Sequence, residues 1–121
     1  MATTKPPDTE LIVSTLVQPR HRHIFDRAVA KALEADGTDT GAYNFIRTCP
    51  ASHGDRLLLA LAFACWRGYG PAIQIDQLHG LDVAVAARVL AGLAINIAGE
   101  DAMELLEQAT AHAKAQTESQ E

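Results

Sequence analysis

The sequence predicts an all-α fold: a compact single-domain bundle of about five helices around two apolar central helices. Three observations carry that prediction. Two long runs, Arg56–Arg67 and Leu81–Ala98, are nearly free of charge and too apolar for half-exposed helices. The apolar content is dominated by alanine and aliphatic residues, with aromatics at only 5%, which favours helix over strand. The chain has 121 residues, 48% of them hydrophobic and 21% charged, enough apolar mass for one core and too little length for two.

Residues 1–7 carry Lys5, Pro6 and Pro7 without core-forming periodicity and are predicted to be a flexible lead. The helical domain is assigned to 8–115 and a flexible acidic tail to 116–121. Asp8 or Thr9 is placed to cap a short helix through Leu16, although Leu11-Ile12-Val13 suits an extended segment equally well. Pro19 fits the first turn of the next helix, where its missing N–H costs nothing, and that helix is expected to reach Ala35. Its apolar stripe is Ile24, Ala28, Ala32 and Ala35, with Phe25, Val29 and Leu33 alongside.

Asp36-Gly37-Thr38-Asp39 signals a stop and turn, and Thr40–Thr48 is predicted as a short helix bringing Tyr43 and Ile46 together. Ser52-His53-Gly54-Asp55 resembles a capping box that starts the first core helix, with Asp55 reaching back to the chain at Ser52. Leu57 through Trp66 then places apolar groups on every face, and Gly68 ends the helix. Tyr69-Gly70-Pro71 forms the exit turn, and 72–75 is read as a loop or isolated extended segment. Asp76 is expected to cap one turn through His79, closed by Gly80.

The second core helix presents two seams. Val83, Ala86, Leu90, Leu93 and Ile97 form one, and Ala84, Ala87, Ala91, Ala94 and Ala98 the other, so that two neighbouring elements are expected to pack on it. A buried soluble helix is the reading preferred over a membrane span, because Asp82, Arg88 and Asn96 interrupt the run. Gly99 ends it. Glu100-Asp101 begins a last helix whose buried stripe is expected to be Met103, Leu106, Ala109 and Ala113.

The formal net charge of −5 lacks the basic balance usual in a nucleic-acid-binding domain. Cys49 and Cys65 stand alone, with no CxxC pair, so neither a zinc site nor a disulfide framework is indicated. The expectations are a soluble, cytoplasmic protein with no cofactor, no metal and no membrane partner.

Arg20-His21-Arg22-His23, followed by Arg27 and Lys31, concentrates positive charge on one helix start and could meet phosphate or an acidic partner. No helix-turn-helix, finger or stacking motif accompanies it, so a solvated basic face is preferred. His21 and His23 fall about 200° apart on a helix, which disfavours joint chelation. Cys49, His53 and Asp55 supply the residue types of a thiol-dependent enzyme, but capping already accounts for Ser52 and Asp55. Cys65, inside an apolar run, is read as a small hydrophobe. Trp66, Arg67 and Tyr69 have the composition of a binding hot spot, against the plainer reading that Trp66 closes the core. Asp76, His79 and Asp82 are read as caps and surface rather than a metal site. Arg88 is expected to pair with a carboxylate on another helix or to anchor an interface.

The functional expectation is a non-enzymatic helical protein–protein interaction module, a small regulator or inhibitor that binds a protein partner or self-associates as a homo-oligomer. Candidate partner-binding residues are Arg20, Arg22, Arg27, Lys31, Trp66, Arg67, Tyr69 and Arg88. The main alternative is a nucleic-acid-associated regulator using the Arg20–Lys31 basic helix, and a lesser one is a thiol-dependent enzyme.

Overall fold

The computed structural model describes residues 9–34, 39–68, 70 and 75–119, and among them it contains helices and turns but no strand. The expected lead at 1–7, the caps and turns proposed at Asp8, Gly37 and Pro71, the stripe position Ala35 and the candidate contact Tyr69 lie outside the described residues.

The ambiguous first segment is helix α1 (Thr9–Leu16). Ile12, Val13 and Leu16 share one face of a helical turn, and that face is fully buried. Gln18 then adopts φ −66° and ψ 148°. This is the extended conformation that a following proline imposes on its predecessor. The helix expected over Pro19–Ala35 is divided and shorter: a 3₁₀ turn at Pro19–His21 leads into α2 (Arg22–Ala32). Ile24, Phe25, Ala28 and Ala32 enter the core as predicted, whereas Leu33, at the helix end, is exposed. Helix α3 (Thr40–Arg47) buries Ala42 and Ile46.

Helix α4 (His53–Arg67) forms the centre of the bundle. Ser52 Oγ accepts the Asp55 N–H at 3.2 Å, satisfying one donor at the helix start. At the other end Gly68 takes φ 89° and donates its N–H to the Ala64 carbonyl, the left-handed termination that glycine permits. Leu57, Leu58, Leu59, Leu61, Ala62 and Phe63 are buried between the surrounding helices. The Phe63 ring receives Tyr43 edge-on at 4.9 Å and lies 5.6 Å from Trp66. Trp66 thus closes the core end of α4.

A 3₁₀ turn at Ile75–Leu78 and Gly80, at φ 73°, bring the chain to α5 (Val83–Ala98). Asp82 caps α5 by accepting the Ala84 N–H at 3.1 Å. After a 3₁₀ turn at Gly99–Asp101 the chain ends in α6 (Ala102–Ser119), which runs through most of the segment assigned to the tail.

α5 corrects one expectation. Its two seams are each expected to receive a neighbour, yet the side facing α1 and α4 is Val85, Val89 and Gly92. Gly92 decides this orientation, because a Cβ there would lie 2.5 Å from Leu16 Cδ2 and 2.7 Å from its Cγ. α1 and α5 cross where one helix has no side chain. The seam containing Val83, Leu90 and Ile97 is thereby turned outward.

α6 corrects a second. Of its predicted buried stripe, Leu106 is half-buried, while Met103, Ala109 and Ala113 are exposed. Only its first turns, through Ala102, Leu105 and Leu106, are shielded, and 107–118 are exposed on every side. The stripe is present in the sequence, but beyond Leu106 it is exposed.

Candidate interaction surface

The basic cluster at the start of α2 is largely neutralised within the chain. Arg22 donates to both Glu10 oxygens, at 2.8 and 3.1 Å, and to Asp26 one turn along at 3.2 Å. These hydrogen bonds hold the Glu10 carboxyl below its ordinary value of 4.5 and raise the Arg22 pKa further. Arg20 Nη2 lies 3.5 Å from Asp55 Oδ2, and His21 Nδ1 lies 3.9 Å from the same oxygen. Lys31 sits over the Phe45 ring at 5.5 Å. Arg27 and His23 are exposed.

Asp55 is 7% exposed, the one buried charged residue among those described. Its backbone takes the cap from Ser52, but its carboxylate does not complete the expected capping box. It turns instead to the Arg20 guanidinium, with the His21 ring beside it, because a buried carboxylate gains more from a cationic donor than from one backbone N–H. The 3₁₀ turn at Pro19–His21 is thereby tied to the start of α4. Cys49, His53 and Asp55 are not assembled as a triad: Cys49 is buried, His53 is exposed, and Asp55 faces the α2 entrance. Arg56 Nε donates to the Cys49 carbonyl at 3.0 Å, fixing the loop that leads into α4. Both cysteines are free, and burial pushes the Cys65 thiol pKa up.

At the far end of α4, Arg67 Nε lies 3.1 Å from Asp39 Oδ1 and the guanidinium sits 5.8 Å from the Trp66 ring centre. This joins the end of α4 to the start of α3, so Trp66 and Arg67 are held by intramolecular contacts. Asp76, His79 and Asp82 do not converge, and no group of three His, Cys, Asp or Glu among the described residues could hold a metal ion. Arg88 departs from expectation. It makes no ion pair with a described residue, and its Nη1 is buried without a hydrogen-bond partner. The carboxylates at the neighbouring α1 and α4, Glu10 and Asp55, are already taken by Arg22 and Arg20.

Among the described residues, an apolar feature remains unassigned. Val83 is 83% exposed, Leu90 58% and Ile97 72%, and seven-residue spacing puts all three on one face of α5. Ala87 lies in the same row and is exposed. Just beyond the Gly99 turn, Met103 is 69% exposed. On α6, Met103, Leu106, Glu107, Thr110, Ala111 and Lys114 line a shallow, mostly apolar depression. The sequence pattern places Met103 and Leu106 on a buried stripe and Val83, Leu90 and Ile97 on a seam against a neighbouring element. The one signal against that assignment was Gly92, which marks the opposite side of α5 as the place of closest approach.

By length and composition alone Val83–Glu118 could cross a membrane. Gly99 breaks the span with φ 55° and ψ −120°. The 16 residues of α5 reach about 24 Å, short of a hydrocarbon core of about 30 Å, and they include Arg88. No known protein family, curated protein or solved structure matches this chain.

Proposed function

We propose that the chain is a non-enzymatic helical interaction module that presents the outer face of α5 and the projecting α6 to a protein partner. The observation that carries this reading is the exposed row Val83, Leu90 and Ile97 on a helix whose other side is packed into the bundle. Rows of this kind are uncommon on monomers and mark places where another surface docks. Covering what these three side chains now expose would contribute roughly 3–6 kcal/mol, scaling ~1.5–3 kcal/mol per fully buried aliphatic side chain. That falls short of the 8 kcal/mol or so behind micromolar affinity, so contacts beyond these three side chains must add to it.

The basic residues of α2 support a nucleic-acid partner less well, since Arg20, Arg22 and Lys31 already have intramolecular partners. The thiol-dependent alternative gains little support from a buried Cys49 beside an exposed His53 in sequence.

Affinity capture from the native cell with the wild-type chain, with Leu90→Ser/Ile97→Ser, and with Arg20, Arg22, Arg27 and Lys31 all changed to alanine tests the assignment. The protein partner is expected to be lost with the α5 variant and kept with the α2 variant. Retention through the α5 change, or salt-sensitive nucleic-acid binding abolished by the α2 change, would overturn it.

A further inference from the structure

The geometry points to a second copy of this chain as the occupant of α6, paired antiparallel along its exposed seam; this names what covers one of the two presented surfaces and rests on the interaction-module reading above. Met103, Leu106, Thr110, Ala113 and Thr117 recur at alternating spacings of three and four, the seam of a two-helix contact. Thr110, Ala113 and Thr117 lie wholly within the exposed part of the helix, and Met103 is also exposed. Helical segments of this length are marginal in water when unsupported, and the exposed residues 107–118 have no core to lean on.

Charge selects both the partner and its direction. Glu107 and Lys114 occupy the same flank of the seam, one heptad apart, and both line the depression on α6. Neither is joined to another described residue by an ion pair or hydrogen bond. Two copies related by a two-fold axis near Thr110 and Ala111 would set Glu107 of each against Lys114 of the other, making the same ion pair twice. The opposite flank holds Ala109 and Gln116, neither charged. In a parallel pair the two flanks would face each other, and Glu107 and Lys114 would meet no opposite charge. Glu104, His112 and Glu118 lie outside the seam and both flanks, so pairing does not press like charges together. The helix face is complementary to itself only when reversed.

The test is light scattering after size exclusion on the full-length protein, using wild type, Glu107→Lys, Lys114→Glu and an equimolar mixture of the two variants. Wild type is expected to be a dimer at tens of micromolar. Either reversal alone sets like charges together at both symmetry-related contacts and should weaken the dimer about tenfold or more. The mixture should recover wild-type affinity. In it the introduced lysine meets the introduced glutamate at one contact, and the original pair is retained at the other. Both substitutions are on exposed positions, and recovery in the mixture itself reports that each variant is folded.

A monomer throughout, or a dimer indifferent to both reversals, would overturn the pairing. A monomeric wild type whose Leu90→Ser/Ile97→Ser variant still loses a different protein partner would overturn only the second-copy assignment. Loss of both results would sink the module reading as well.

Discussion

Replacing Gly92 by alanine tests the contact that turns the apolar row of α5 outward. An added Cβ would lie 2.5, 2.7 and 3.0 Å from Leu16 Cδ2, Cγ and Cδ1. Ordinary carbon contacts are about 3.5–4.0 Å, so α1 and α5 must separate by about an ångström or Leu16 must leave its rotamer. Leu16 is completely buried and has no solvent side to turn toward. Overpacking of this kind costs about 1–3 kcal/mol, against a helix-propensity gain of about 1 kcal/mol for alanine over glycine. The expected net effect is a loss of up to about 2 kcal/mol, read as a lower urea midpoint at unchanged m value. A double-mutant cycle with Leu16→Val should show positive coupling, since shortening Leu16 makes room for the added methyl. If Gly92→Ala instead stabilised the protein by the propensity gain alone, α1 would not be seated on α5 at this point. The outward orientation of Val83, Leu90 and Ile97 would then have no basis.

Other predictions concern the groups that hold the face in place. Ser52→Ala should cost about 1 kcal/mol by removing the cap on α4, measured by denaturant unfolding, with Ser52→Asp largely neutral. Asp55→Ala should cost about 1 kcal/mol, because the partner it removes at 3.5 Å is an Arg20 guanidinium that is 69% exposed. A loss no larger than that of a surface substitution would show that this contact does not matter. The Glu10 carboxyl should titrate below 4.5 in an NMR pH series and return to its ordinary value in Arg22→Ala. Since its pKa is depressed in the fold, the contribution of this pair is present above the ordinary glutamate value and is lost as pH falls through the lowered one. Cys65, with its thiol pushed up by burial, should react with iodoacetamide more slowly at pH 8 than a free cysteine peptide, and equal rates would contradict the placement.

The central part of the fold was legible because its signals are local. A serine three residues before Asp55, an unbroken apolar run and Gly68 at its end define α4 from both directions, and the structure departs only in starting the helix at His53. Leu11-Ile12-Val13 was ambiguous because branched residues suit strand and buried helix alike, and only packing against α4 and α5 separates the two. The capping box was half legible. Ser52 behaves as its position demands, but the Asp55 carboxylate answers to Arg20 and His21, 35 and 34 residues away in the chain. No periodicity encodes such a pairing. Arg22 read as part of an open basic surface for the same reason, since its partner Glu10 lies on another helix.

The outer face of α5 was hidden by a different cause. An amphipathic helix declares its exposed side through polar residues, and α5 between its caps has only Arg88 and Asn96 to declare anything. What separates its two sides is size. Gly92 lets α1 approach, while the bulkier Val83, Leu90 and Ile97 fall on the side where no described element lies. A helix intended only for solvent would gain solubility from charge in that row at no packing cost. Its uniformly apolar character makes sense if the row is covered in the working state of the protein. The same reasoning reaches α6 by another route, because its exposed length is too short to be robust alone and too regularly patterned to be a mere tail. Shortening the chain after Thr110 therefore separates the two surfaces. It should abolish pairing through α6 while leaving the α5 row and the bundle's unfolding midpoint intact, and a large drop in that midpoint would mean that α6 supports the fold rather than the interface.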